Sequence, residues 1–198
     1  MKLNVPESIR WVDNCLFLLD QTKLPGEVVE EKQETIGMVW HAIKQLKVRG
    51  APAIGIAAVY GLLVGIKESL NLPMDGFKAV LKKQAAYLDS ARPTAVNLHW
   101  SMVRMLNKAE SLSVETPQEI YDALVEEAKA IDNEDKQLCL GMGTHGAPLI
   151  KENMGILTHC NAGALATCAF GETGQAKVPF RPVEITANDK PAITKNRN

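Results

Sequence analysis

The sequence lacks most of the features that would mark a specialised class of protein. Its 198 residues carry a net charge of -1 and include only 5% aromatic residues, against 46% hydrophobic and 23% charged residues. A charge this small gives no field that would attract nucleic acid or an anionic membrane. We therefore expect no nucleic-acid partner, no membrane partner and an ordinary soluble globular protein.

Long apolar runs, paired cysteines and metal-ligand spacings are also missing. The longest stretch without a charge or an amide, Ala51–Ile66, falls short of the 18 or so residues that cross a bilayer and predicts a buried helix. The N-terminus has no apolar signal region, so we expect a cytoplasmic location. No CxxC, HxH or HxxxH spacing occurs, which indicates reduced thiols, no metal and no cofactor.

Up to about residue 140 the apolar residues follow mainly a helical period. One or two strands are predicted within residues 9–19, followed by a helix from Thr35 to near Lys47. Another helix is predicted to begin within residues 49–52, where Pro52 suits a first turn because its missing N–H would be unpaired there anyway.

Three further helices are predicted from their starting residues. Asp75 can cap one, and Pro93 can open the next. Thr116, Pro117 and Glu119 form a capping box with proline at the first helical position, which is the clearest helix start in the chain.

These patterns predict an α/β protein that begins with a mainly helical domain containing short strands, residues 1–140. Glycines at 141–148 break the helical pattern. A strand candidate at 155–159 and a turn into a small-residue helix then resemble the first unit of a Rossmann-like domain, residues 141–172. Residues 173–198 form a polar tail, so the second domain is too short to complete a covered sheet.

Two short stretches could bind an anion. Arg49, Gly50 and Ala51 lie where a helix begins, so a guanidinium and free backbone N–H groups would converge there, as in phosphate sites. Gly50 would let an anion approach the backbone closely. Arg92 precedes Pro93 and could direct a second cation toward a pocket. In the simpler alternative both arginines are surface charges and Gly50 is only a turn residue.

Cys160 is the most informative single residue. It follows a strand candidate and precedes a glycine-containing helix start, where the helix dipole can stabilise a thiolate. Such a thiol could take or give a proton, although most single cysteines are small buried hydrophobes. We expect that structural role for the three other cysteines, Cys15, Cys139 and Cys168. Two histidines, His145 and His159, are expected to be structural residues held by hydrogen bonds.

Four segments together resemble one enzyme family, methylthioribose-1-phosphate isomerase, an aldose-ketose isomerase of methionine salvage. They are LLDQTKLP at 18–25, VRGAPAIGIAAVYG at 48–61, SARPTAVNLHW at 90–100 and ILTHCNAGALAT at 156–167. They occur in the family's order and spacing and extend over roughly residues 5–170. Three independent motifs of about a dozen residues make chance agreement very unlikely.

The resemblance implies both a fold and residue roles. The fold is shared with ribose-1,5-bisphosphate isomerases and with regulatory subunits of a eukaryotic initiation-factor exchange complex. By motif position, Arg49, Gly50, Ala51 and Arg92 would bind a sugar phosphate, and Cys160 would be catalytic. An intact HCNAG sequence points to the enzyme branch. Dimers are usual in the family, so a homodimer is implied unless the contact region lies in the half that this chain lacks.

The chemistry implied by the family needs more than a phosphate site. The phosphate esterifies the anomeric oxygen, so the sugar cannot open to a free aldehyde as an ordinary aldose phosphate does. A general acid could protonate the ring oxygen while the C2 proton moves to C1, with Cys160 handling a proton. A hydride shift from C2 to C1 is the rival path. Either path develops charge that a desolvated pocket would protect.

The sequence departs from the family after the last motif. The family's further strand-helix units, with an acidic Asp partner and an Asn-Lys pair, have no match here. Asp189 lies in TANDKPAITKN, which does not match the motif of the family's Asp, so it receives no role. We expect the chain alone to be inactive or nearly so. A non-catalytic module for sugar phosphate or nucleotide, and a structural fragment that needs a partner chain, remain as alternatives.

Overall fold

Five α-helices carry the apolar patterns seen in the sequence. The computed structural model describes residues 6–151 and 163–167. Its helices are α1 (Ile36–Lys44), α2 (Ala51–Ile66), α3 (Met74–Asp89), α4 (Val96–Ser111) and α5 (Pro117–Gly146). Short 3-10 turns follow α2 and α5, at Lys67–Ser69 and Ala147–Leu149.

The second helix is the centre of the core. α2 is buried along nearly its whole length and packs against the four other helices and against the sheet. A helix that is hydrophobic on every face is stable only when it is surrounded. By composition Ala51–Ser69 could span a membrane, but 67% of it is buried inside the fold, as in the core helix of a soluble protein. The buried helix predicted from this run is confirmed.

A small antiparallel sheet covers one side of the helices. Its strands are β1 (Ile9–Val12), β2 (Cys15–Leu19) and β3 (Glu30–Gln33), in that order. The predicted N-terminal strands correspond to β1 and β2. β3 was not predicted because its sequence EEKQ has no apolar alternation and forms a charged edge strand.

Two of the predicted helix starts are wrong. Pro73 occupies the cap position of α3, and Asp75 lies inside the first turn. α4 begins at Val96, not at Pro93, because the Ala95 N–H donates to the Arg92 carbonyl at 2.9 Å and forms a turn first. Arg92 therefore lies in the turn that leads into α4.

The helix break predicted from the glycines at 141–148 is also wrong, since α5 continues to Gly146. Each glycine costs about 1 kcal/mol in a helix interior, which weakens a helix without ending it. Pro148 cannot donate a backbone hydrogen bond, and the chain leaves the helix there. The domain division at residue 140 stays a prediction.

The α/β class is confirmed, as a helical body with a small three-stranded sheet. From the predicted Rossmann-like unit, residues 141–172, the structure describes two parts. Residues 141–151 contain the end of α5 and the 3-10 turn that follows it, and residues 163–167 form a turn. The strand predicted at 155–159 and the tail at 173–198 lie outside the described residues.

Candidate functional site

The start of α2 has the features of a site open to a neighbouring group. Gly50 is its cap residue, with φ +91°, and supplies no capping side chain. Pro52 in the first turn has no N–H. Arg49 is exposed, and its Nε donates to the Leu46 carbonyl at 3.4 Å. The guanidinium is thus anchored at one nitrogen beside a helix N-terminus.

Residues 163–167, hereafter the 163–167 segment, lie directly against this helix start. The Ala53 N–H donates to the Ala166 carbonyl at 3.3 Å. A Cβ at Gly50 would overlap the Ala166 backbone, coming within 2.5 Å of its Cα. The end of the HCNAGALAT motif therefore meets the RGAP motif. One of the N–H groups that we expected to be free is used in this contact.

Gln21 connects the 163–167 segment to the rest of the fold. Its side chain is buried, and its Nε2 donates to the Leu165 carbonyl at 2.7 Å. The buried Ser8 hydroxyl donates to the same carbonyl at 3.2 Å. The backbone N–H of Gln21 donates to the Lys47 carbonyl at 2.9 Å. Sequence reasoning gave Gln21 no role, although the LLDQTKLP motif contains it.

An ion-paired group supports the loop that precedes α2. Lys47 Nζ lies 2.6 Å from a Glu31 carboxylate oxygen and 3.6 Å from Asp20, whose side chain is 3% exposed. Burial alone would raise the pKa of Asp20, but hydrogen bonds from Thr22 and the charge of Lys47 outweigh it and lower that pKa. Asp20 is therefore held ionised next to Gln21.

Arg92 precedes α4, a helix that packs against α2. It is half-buried in the turn before α4. The start of α4 packs on α2 through Ser101, whose hydroxyl donates to the Gly55 carbonyl at 3.3 Å. A Cβ at Gly55 would lie 3.0 Å from the Asn97 carbonyl oxygen, so the two helices touch near both of their starts.

A cavity of about 350 Å³ lies between α2, α4 and α5, next to this helix start. Its lining includes Pro52, Asn97 and Trp100, but neither Arg49 nor Arg92. The charged side chains that line it are the carboxylates of Glu134 and Asp135. Because carboxylates repel a phosphate, this cavity is a poorer anion site than the exposed start of α2.

The thiol predicted to be catalytic, Cys160, lies outside the described residues, as do His159 and Cys168. Of the described cysteines, Cys15 is half-buried and Cys139 is buried. Burial raises the pKa of the Cys139 thiol, although a hydrogen bond with Thr167 opposes this. Cys139 is thus an unreactive residue beside the 163–167 segment. Within residues 6–151 and 163–167, no cluster of His, Cys, Asp and Glu could hold a metal ion.

The comparisons with known proteins agree with one another on the family of this chain. The sequence model described as the initiation factor 2 subunit family matches residues 47–189, which extends beyond Thr173 into the predicted tail. A 5-deoxyribose 1-phosphate isomerase from Bacillus cereus is 47% identical over 163 residues, which are 82% of this chain and 47% of the relative. The chain spans about half the length of the curated relatives that it matches.

Two solved structures share this fold. A 5-methylthioribose 1-phosphate isomerase from Pyrococcus horikoshii OT3 is 38% identical with a TM-score of 0.77, covering 84% of this chain and 47% of that one. The delta subunit of translation initiation factor eIF-2B from A. fulgidus is 39% identical with a TM-score of 0.73, covering 83% of this chain and 48% of that one. The similarity therefore includes proteins named as isomerases and a protein named as an initiation-factor subunit.

Proposed function

The chain belongs to the initiation factor 2 subunit family, and from this premise we propose that it comes from the isomerase branch and carries the N-terminal part of an aldose-ketose isomerase site. The proposed substrate is 5-methylthioribose 1-phosphate, converted to 5-methylthioribulose 1-phosphate in methionine salvage. 5-Deoxyribose 1-phosphate, the substrate named for the Bacillus cereus relative, shares the anomeric phosphate and differs at C5.

One observation supports this proposal more than any other: the 163–167 segment contacts the start of α2. The Ala53–Ala166 hydrogen bond, at 3.3 Å, joins two motifs that are far apart in the sequence. Cys160 precedes this segment by a few residues, and Arg49 precedes the helix start. A phosphate near the Arg49 guanidinium and a thiol leading into the 163–167 segment would then serve the same small ligand.

In the proposed site Arg49 and Arg92 would bind the phosphate, because guanidinium groups donate in a geometry that fits phosphate oxygens. Gly50 and Ala51 would contribute backbone N–H groups beside the ligand, while the space that a Gly50 side chain would fill is taken by Ala166. Cys160 would handle a proton while the sugar ring opens and the C2 proton moves to C1. A hydride shift from C2 to C1 remains the rival reaction path.

The test is an assay of the purified chain with 5-methylthioribose 1-phosphate, following ketose formation. We expect turnover to be absent or lower than in a full-length relative by several orders of magnitude, because the chain has no match to the family's acidic partner. Fast turnover that is abolished by Cys160→Ser would contradict this expectation and show that the chain suffices. A parallel assay with 5-deoxyribose 1-phosphate would compare the two substrates.

A second candidate function is binding without conversion, which the similarity to the A. fulgidus subunit favours. Turnover separates conversion from binding alone, and calorimetric titration identifies the ligand. Binding of 5-methylthioribose 1-phosphate that is weakened by Arg49→Met supports a sugar-phosphate site, whereas preferential binding of a nucleotide supports a nucleotide-binding module. We propose a cytoplasmic location and a homodimer, and size-exclusion measurements would test the oligomeric state.

A further inference from the structure

We propose that Gln21 is a positioning residue, which sets the distance between the start of α2 and the 163–167 segment. The inference rests on the proposed function, since it concerns the geometry of the same site. The observation behind it is a buried side-chain amide that bonds to a distant part of the chain. The Gln21 side chain is 8% exposed and donates to a carbonyl separated from it by 144 positions in the sequence.

The 163–167 segment is held mainly through its backbone. Gly163 is exposed and Leu165 is only half-buried, whereas Ala166 is buried. Its carbonyl oxygens accept hydrogen bonds from the side chains of Gln21 and Ser8 and from the N–H of Ala53, and Thr167 adds a side-chain hydrogen bond with Cys139. A segment that buries little apolar surface depends on such bonds for its position.

Gln21 also fixes the other side of the site. Its own N–H donates to the Lys47 carbonyl, two residues before Arg49. Its neighbour Asp20 faces the Lys47 ammonium at 3.6 Å. One residue therefore holds the loop that ends in Arg49 with its backbone and the 163–167 segment with its side chain. This arrangement is defined here as the Gln21 bridge.

Ser8 supports the Gln21 bridge as a second donor. Its hydroxyl donates to the Leu165 carbonyl at 3.2 Å and accepts from Gln21 Nε2 at 3.5 Å. Because Ser8 is 2% exposed, water cannot readily replace it. Without the Gln21 amide, the Leu165 carbonyl would keep only the longer of its two hydrogen bonds, the one from Ser8.

The experiment uses Gln21→Met, which keeps the length of the side chain and removes the donor. Gln33→Met is the matched control, because Gln33 is a buried glutamine in β3 whose amide donates locally to the Glu31 carbonyl at 3.1 Å. Hydrogen exchange is measured at the Ala53 amide, which donates to the Ala166 carbonyl and reports the contact between α2 and the 163–167 segment, and at the Ala166 amide, which donates to the Gly163 carbonyl and reports the turn within that segment. α3 serves as the internal reference.

We expect Gln21→Met to lower protection at Ala53 and Ala166 about tenfold, the scale of one lost hydrogen bond, with α3 unchanged. Gln33→Met should leave the protection of both amides unchanged, even if it lowers the melting temperature as much as Gln21→Met does. Unchanged protection in Gln21→Met, or an equal loss in both variants, overturns the Gln21 bridge.

The second readout is affinity for 5-methylthioribose 1-phosphate, with inorganic phosphate as the comparison ligand. We expect Gln21→Met to raise the dissociation constant of the sugar phosphate about tenfold, and Gln33→Met to leave it unchanged. Lower protection with unchanged affinity overturns the positioning role. If the unmodified chain binds no sugar phosphate, the proposed function fails and the positioning role fails with it. The difference in hydrogen exchange between Gln21→Met and Gln33→Met still shows whether Gln21 holds the 163–167 segment against α2.

Discussion

The starts of α2 and α5 differ in which groups pair with their first N–H groups. Every helix begins with N–H groups that have no partner within the helix. At α5 the neighbouring residues supply the partners, since the Thr116 hydroxyl accepts from the Glu119 N–H at 3.3 Å and the Glu119 carboxylate accepts from the Thr116 N–H at 2.9 Å. At α2 no side chain caps the helix, and the Ala166 carbonyl accepts from Ala53 instead.

This difference separates a structural helix start from one that can serve a site. The cap of α5 is complete within four residues, so it depends on nothing else in the chain. The start of α2 depends on the 163–167 segment and on the loop that Lys47 supports. A helix start that is completed by distant groups can respond to a ligand, because the ligand competes with or strengthens the same contacts.

The largest expected effect comes from Gly50→Ala. The new Cβ would overlap the Ala166 backbone, and the residue would have to keep φ at +91°. We expect a loss of about 2–4 kcal/mol in the free energy of unfolding and displacement of the 163–167 segment. Chemical denaturation measures the loss. Gly141→Ala is the control, because nothing lies within 4 Å of its Cβ, and it should stabilise α5 by about 0.5–1 kcal/mol.

A smaller effect is expected from Lys47→Met, which removes the cation facing the buried Asp20. Since the Lys47 side chain is 25% exposed, we expect a loss of about 2 kcal/mol at neutral pH, below the range for fully buried pairs. The pKa of Asp20 is lowered in the folded state, so its contribution is present above the unfolded pKa and is lost as pH falls through the folded one.

The difference in the free energy of unfolding between wild type and Lys47→Met should therefore become smaller in acid, below the ordinary Asp pKa of 3.8. Denaturation curves at neutral pH and in acid measure it. Lys82→Met removes an exposed partner of Glu110 and should change stability by no more than about 0.5 kcal/mol. An equal loss in both variants would mean that the ion pairs of Lys47 with Glu31 and Asp20 stabilise the fold no more than an exposed pair does.

A still smaller effect than that of Lys47→Met is expected from Thr116→Ala, at the start of α5 that is capped by its own residues. Loss of the cap should cost about 1 kcal/mol, measured by thermal denaturation, and should leave exchange at Ala53 unchanged. Hydrogen bonds from Thr116 lower the pKa of Glu119, so its stabilisation is lost as pH falls through the folded pKa. If Thr116→Ala altered the 163–167 segment, the two helix starts would not be independent.

The same contrast explains how far the sequence could predict this molecule. The helix start at Thr116 was predicted correctly because its partners are local, and α2 was predicted because all of its faces are apolar. β3 was missed because an edge strand made of EEKQ has no apolar signal. The role of Gln21 was missed because its partner, the Leu165 carbonyl, is brought to it only by the tertiary fold.

The candidate site was predictable only as separate motifs. Arg49, Gly50, Arg92 and Cys160 could each be identified from local patterns, and the resemblance implied that they serve one site. That the 163–167 segment would use the Ala53 N–H could not be read from spacing, since nothing in either motif specifies the other. Hydrogen bonds to backbone carbonyls leave no residue pattern in the segment that accepts them.

The tight packing of α2 has a consequence for how a ligand could be accommodated. Added side chains at Gly61 and Gly65 would come within 2.5 Å of Val39 and 2.6 Å of Ile36, so neighbouring residues fill the surface of the helix on that side. Contacts this close oppose sliding or rotation of the helix. We therefore expect its dipole to keep its direction, and any adjustment of the proposed site to a ligand to come from the loops around it.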